Sequence, residues 1–84
     1  MNTERAVKEF IISEYAPEAS PDELDATYDL LDTGLVNSLG LLRLIGWVGK
    51  TFDIPVDDIE ISPDDFRTVA AICAFVEGAP TGRH

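Results

Sequence analysis

Apolar residues recur at three- and four-residue spacing in three stretches of this 84-residue chain, and no stretch has the strict two-residue alternation of a half-buried strand. Pro17, Pro21 and Pro55 fall between those stretches, where they end helices rather than kink them. The first stretch, residues 3–15, has Thr3 available as a cap and Val7, Phe10, Ile11 and Tyr15 on one face. The second, residues 38–52, follows the cap residue Asn37 and carries Leu41, Ile45, Val48 and Phe52 on one face, with Leu44 beside them. The last, residues 63–76, opens on a cap, a first-turn proline and an acid: Ser62, Pro63 and Asp65. Its stripe is Phe66, Val69, Ile72, Cys73 and Val76. Pro55 introduces a short helix over 56–60. The pattern predicts an all-α domain of four helices, three main and one short, with a long first loop.

That loop, residues 16–37, holds six acids and no base, and Leu24, Tyr28, Leu30, Leu31 and Leu35 interrupt its polarity. Loops of this length inside compact domains are functional more often than idle. The apolar residues pin it to the core, with a helical turn near 21–25. One domain, 1–84, is expected, with an ordered core over about 3–77 and a flexible tail over 78–84.

Sixteen acids against six bases give a formal charge of −10, which disfavours nucleic acid and anionic membrane as partners and leaves basic proteins open. No apolar run is long enough to span a bilayer, and the polar N-terminus lacks a secretory h-region. The expected compartment is the cytoplasm, which a lone Cys73 suits.

Catalytic arrangements fail one by one. Ser38 has Val36 where a nucleophile elbow needs glycine, and the only histidine is His84 at the chain end. One cysteine and one terminal histidine make no zinc site, and the acids after Asp53 break the calcium-loop pattern at Pro55 and Asp58, so no metal is expected. Gly34, Gly40, Gly46 and Gly49 form neither phosphate-loop nor dinucleotide fingerprint. Gly34 suits a turn. Gly46 and Gly49 lie inside a helix, each at a cost of about 1 kcal/mol relative to alanine, so close packing against a neighbour is expected, within the fold in the first place and from a partner as the alternative. What remains is Ser38, at a helix start where backbone N–H groups and the positive dipole end favour a phosphate ester. On local sequence alone a plain helix-capping or first-turn serine is the better reading.

Residues 30–42, LLDTGLVNSLGLL, resemble the attachment region of acyl and peptidyl carrier proteins, whose signature is a polar residue, Ser, then Leu or Met; here it is Asn37-Ser38-Leu39. Residues 52–59, FDIPVDDI, resemble that family's connection to its short third helix, and Phe66-Arg67-Thr68-Val69 its fourth-helix opening. The resemblance spans roughly residues 3–76. It implies a four-helix carrier bundle, a monomer without catalytic residues. It also implies a 4′-phosphopantetheine arm installed on Ser38 by a phosphopantetheinyl transferase, and a thioester cargo passed from an adenylating or acyl-loading enzyme to tailoring or condensing enzymes.

Two departures bear on which carrier this is. Many acyl carriers have Asp in place of Asn37. Their second helix is also acidic, whereas residues 38–52 contain no acid and include Arg43 and Lys50. Asn37, Leu39, Arg43, Trp47 and Lys50 are the expected partner interface, with Trp47 equally placed to join the core. This mixed apolar and cationic face is similar to free-standing aminoacyl and peptidyl carriers, which makes an aminoacyl cargo the expectation and a polyketide or fatty acyl cargo the alternative. An acidic helical adaptor with no arm is the reading from outside the family.

Overall fold

The computed structural model describes residues 3–79. Three α-helices carry the fold: α1, Thr3–Tyr15; α2, Ser38–Phe52; and α3, Val69–Gly78. Single 3-10 turns at Pro21–Glu23 and Pro63–Phe66 lie in the connections, and no strand occurs among the described residues. The tail expected over 78–84 lies outside the described residues beyond Ala79.

Each helix puts one stripe into a common core. Val7 and Ile11 of α1, Leu44 and Val48 of α2, and Val69 and Ile72 of α3 are completely buried around Phe66. Full burial of side chains this size contributes roughly 1.5–3 kcal/mol each. On the outer face of α1, Lys8 pairs with Glu4 and Arg5 with Glu9 at helical spacing, worth a few tenths of a kcal/mol each.

The first loop belongs to the core rather than lying on it. Leu30 and Val36 are buried as deeply as the helical residues, and Leu24 nearly so. Leu31 and Leu35 pack against the cluster, whereas Tyr28 stays 41% exposed. The turn expected near 21–25 is the 3-10 turn at Pro21–Glu23, where Ser20 and Glu23 cap each other reciprocally.

Two elements differ from the sequence expectation. Residues 56–60 form turns rather than a helix. Five residues cannot offset the cost of helix nucleation. Ile54 is drawn into the core, Val56 rests on Gly49 of α2, and only the Asp58 N–H returns to the Pro55 carbonyl. The helix expected over 63–76 is divided. Ser62 and Asp65 cap the 3-10 turn at Pro63–Phe66; Thr68 then adopts an extended backbone, φ −135° and ψ 163°, and caps α3 through the Ala71 N–H. The division has a use: it frees the Arg67 carbonyl to accept from Leu30 N–H at 2.7 Å, tying the first loop to the start of α3.

Candidate functional site

Gly34 has φ +83°, a conformation that L side chains rarely adopt, and it turns the first loop toward α2. Two residues on, the Val36 N–H donates to the Leu30 carbonyl at 2.9 Å and closes the loop immediately before Asn37. Asn37 is the cap: its backbone is extended, and its side-chain oxygen accepts from Gly40 N–H at 2.8 Å. Ser38 is therefore the first helical residue of α2, exposed and not used for capping.

The first turn of α2 is held from the other side by Tyr15. Its hydroxyl donates to the Gly40 carbonyl at 2.8 Å, and its ring lies so close that a Cβ on Gly40 would sit 3.1 Å from Cε1. Burial, with the Glu14 carboxylate, pushes the Tyr15 phenol above its ordinary pKa, and Arg43 opposes the shift. The phenol is protonated and available as a donor throughout the neutral range.

An open depression of about 410 Å³ borders Ser38 and runs past Leu31, Gly34, Val36 and Leu41 to Pro63. A smaller one, about 170 Å³, lies against its neighbours Asn37 and Leu39, between Tyr15, Leu35 and Arg43. An exposed residue at a helix N-terminus on the edge of such a groove suits a phosphate ester bearing an extended chain: the dipole end and first amides favour the phosphate, and the groove walls offer the chain apolar contact. Asn37 and Ser38 line the larger groove, so the residues present fit a phosphopantetheine group.

The other sequence-predicted site residues are distributed unevenly. Leu39 is 63% exposed and Arg43 and Lys50 are exposed on the same side of α2. Trp47 is half-buried; its ring stacks on Phe10 with centroids 4.4 Å apart and meets Phe52 edge-on at 5.7 Å. It is engaged in the seam between α1 and α2. Leu42, for which the sequence pattern had no special place, is the most exposed large apolar residue among those described, at 66%. The outward stripe of α2 thus runs Leu39, Leu42, Arg43, Gly46, Lys50. The signal was present: Leu42 falls one turn from Leu39, off the core stripe, but a leucine inside an apolar helix reads as core. Arg5, Lys8 and Arg67 all pair with carboxylates, whereas Arg43 and Lys50 have none within 4 Å among the described residues.

Comparison with known proteins agrees with this geometry. The family described as "Phosphopantetheine attachment site" matches residues 11–76. An acyl carrier protein of Streptococcus pneumoniae serotype 4 is 34% identical over 71 residues, which cover 84% of this chain and 86% of that protein. A D-alanyl carrier protein of Streptococcus pyogenes serotype M5 is 43% identical over 49 residues, 58% of this chain and 62% of that one. Among solved structures, apo KstB-PCP superposes with a TM-score of 0.80 at 40% identity, covering 92% of this chain and 85% of that one. A solution structure of KstB-PCP in kosinostatin biosynthesis gives 0.67 at 41% identity, covering 96% and 91%.

Proposed function

This chain belongs to the phosphopantetheine-attachment family of carrier proteins, and on that premise we propose that Ser38 is the residue that bears the arm. The observation that carries the proposal is the division of labour at the start of α2. Asn37 supplies the cap, so the adjacent exposed hydroxyl has no structural duty and is open to modification. A phosphopantetheinyl transferase is the partner that installs the arm from coenzyme A. Its reaction exchanges the Ser38 O–H bond for an O–P bond, and the adenosine bisphosphate half of coenzyme A leaves. When bound, the group supplies a terminal thiol that holds cargo as a thioester. Bond-making belongs to the partner enzymes; this chain contributes position and recognition, in a cytoplasmic setting that suits its unpaired Cys73.

The docking surface is the outward face of α2. On this reading Asn37, Leu39, Arg43 and Lys50, all exposed, form it together with Leu42, and Trp47 contributes by holding α2 against α1. Arg43 and Lys50, which have no carboxylate partner among the described residues, fit an apolar partner surface that carries carboxylates, the more so in a chain with such an excess of acid. This charge pattern supports a separate adenylating enzyme and an aminoacyl cargo, with tailoring or condensing enzymes downstream. The greater coverage of the acyl carrier relative supports a second reading, an acyl cargo of the polyketide or fatty-acid kind.

The test of the arm is intact mass. Incubated with coenzyme A and a broad-specificity phosphopantetheinyl transferase, the protein should gain one phosphopantetheinyl unit and the Ser38→Ala variant none. No gain by the wild type would overturn the proposal in favour of an adaptor without an arm. Offering the loaded protein amino acids and carboxylic acids with candidate ligases then decides the cargo; loading of malonyl or fatty acyl groups alone would reject the aminoacyl assignment.

A further inference from the structure

Asp29 organises the turn that delivers Ser38, although it lies nine positions earlier in the chain. Its carboxylate accepts from the backbone N–H of Asp32 at 2.8 Å and of Leu31 at 3.2 Å. Its carbonyl accepts from the Thr33 hydroxyl at 2.6 Å. The Arg67 guanidinium, which also binds Asp64 at 2.9 Å, reaches the same carboxylate at 3.1 Å. Leu30, the residue after Asp29, repeats the connection in the backbone: its N–H donates to the carbonyl of Arg67, and its own carbonyl accepts from Val36 N–H. A continuous series of bonds therefore runs from the start of α3, through Asp29 and Leu30, to the residue two before Ser38.

We propose that Asp29, with Arg67 as its counter-ion, is a positioning residue for arm attachment: it holds the 29–36 turn so that the Ser38 hydroxyl meets the transferase in productive register. The proposal rests on Ser38 being the attachment site. The bonds of Asp29 go to Leu31, Asp32, Thr33 and Arg67 and to no residue of the outward stripe of α2, so its loss should leave the docking face intact while displacing the hydroxyl relative to it. A displacement of about 1 Å can cost up to about a hundredfold in rate.

The two contributions of Asp29 are separable. Asp29→Asn keeps an oxygen for the Leu31 and Asp32 amides and loses the charge facing Arg67; Asp29→Ala loses both. Arg67→Lys keeps a charge without the guanidinium fork.

The experiment is steady-state arm transfer from coenzyme A by a broad-specificity transferase, varying carrier concentration, well below the melting temperature of every variant. For Asp29→Ala we expect kcat to fall roughly tenfold with KM little changed, with Asp29→Asn and Arg67→Lys intermediate. General destabilisation gives the opposite split, because a partly unfolded carrier lowers the concentration of competent substrate and raises KM alone. Amide exchange on the protein without its arm is the second measurement, and it does not depend on the attachment site: the Leu30 and Val36 amides should exchange at least about tenfold faster in Asp29→Ala while the amides of α1 keep their protection. Wild-type kcat in Asp29→Ala, or unchanged exchange at Val36, would overturn the proposal. Failure of the wild type to gain the arm would instead overturn the Ser38 assignment, and the exchange result would still decide whether Asp29 holds the turn.

Discussion

The Tyr15 hydroxyl donates to the Gly40 carbonyl while the Gly40 N–H donates to the Asn37 side chain, each at 2.8 Å, so a residue two positions beyond Ser38 is gripped at both its donor and its acceptor. α1 ends where it can clamp the first turn of α2. Tyr15→Phe removes only the donor. The expected cost is about 1 kcal/mol, a fall of about 4–8 °C in Tm for a domain of this size. Thermal unfolding followed by circular dichroism checks it; an unchanged Tm would mean that the hydroxyl contributes no net stability.

Asn37 and Ser38 are adjacent polar residues with opposite expected sensitivities. Asn37→Ala removes the cap on Gly40 N–H and should cost about 1 kcal/mol. Ser38→Ala changes an exposed first-turn position and should stay within about 0.5 kcal/mol. Urea titration of both variants tests this. A large loss in Ser38→Ala would give the hydroxyl a structural duty and weaken its assignment as a free attachment point.

Acid should loosen the first loop before it melts the helices. The backbone N–H of Asp32, and then Arg67, hold the Asp29 carboxyl below the ordinary aspartate value. The backbone and side chain of Thr27 do the same for Asp25. A depressed folded-state pKa gives stability that is present above the unfolded value, near 3.8, and is lost as pH falls through the folded value. Tm measured from pH 7 downward should therefore fall below about pH 4, and the double variant Asp25→Asn, Asp29→Asn should have a shallower acid limb. Identical limbs would show that these carboxylates do not couple to folding.

How much of this was legible in the sequence depends on whether the deciding contact was local. The α2 start was readable because Asn37 caps within three residues, and Ser62 with Asp65 marked the start of an element at Pro63 for the same reason, though not that it stops after a single 3-10 turn. The break at Thr68 was masked by the helical period: Thr68 can cap a helix but falls inside an unbroken apolar stripe, and the bond that accompanies the break, from Leu30 N–H to the Arg67 carbonyl, joins residues 37 apart in the chain. The Asp29–Arg67 pair escaped notice for the same reason, hidden among the acids of the first loop. The sequence left Trp47 open between interface and core and did not place Leu42, because periodicity locates a stripe but does not say where the partner helix ends. α1 reaches Trp47 through Phe10, and no described element covers Leu42.

Gly46 and Gly49 stand one helical turn apart in α2, and close packing was expected at both; only Gly49 has it within the fold. A Cβ on Gly49 would lie 3.0 Å from both Val56 methyls and 3.1 Å from the Ile54 carbonyl oxygen. That carbonyl is fixed, because the Ile54 side chain is buried and its N–H bonds Gly49. At Gly46 nothing lies within 4 Å of the same atom. Alanine gains about 1 kcal/mol of helix propensity at either site, and overpacking costs about 1–3 kcal/mol. The signs therefore diverge. Gly46→Ala should raise Tm by several degrees, and Gly49→Ala should leave it unchanged or lower it by up to about 16 °C. Gly46 also lies on the outward stripe of α2 between Arg43 and Lys50, where a missing side chain lets a partner approach the backbone closely. Gly46→Ala should thus raise Tm and weaken transfer to the loading enzyme, seen as a higher KM for the carrier at unchanged kcat. A more stable variant with wild-type KM would remove Gly46 from the docking face.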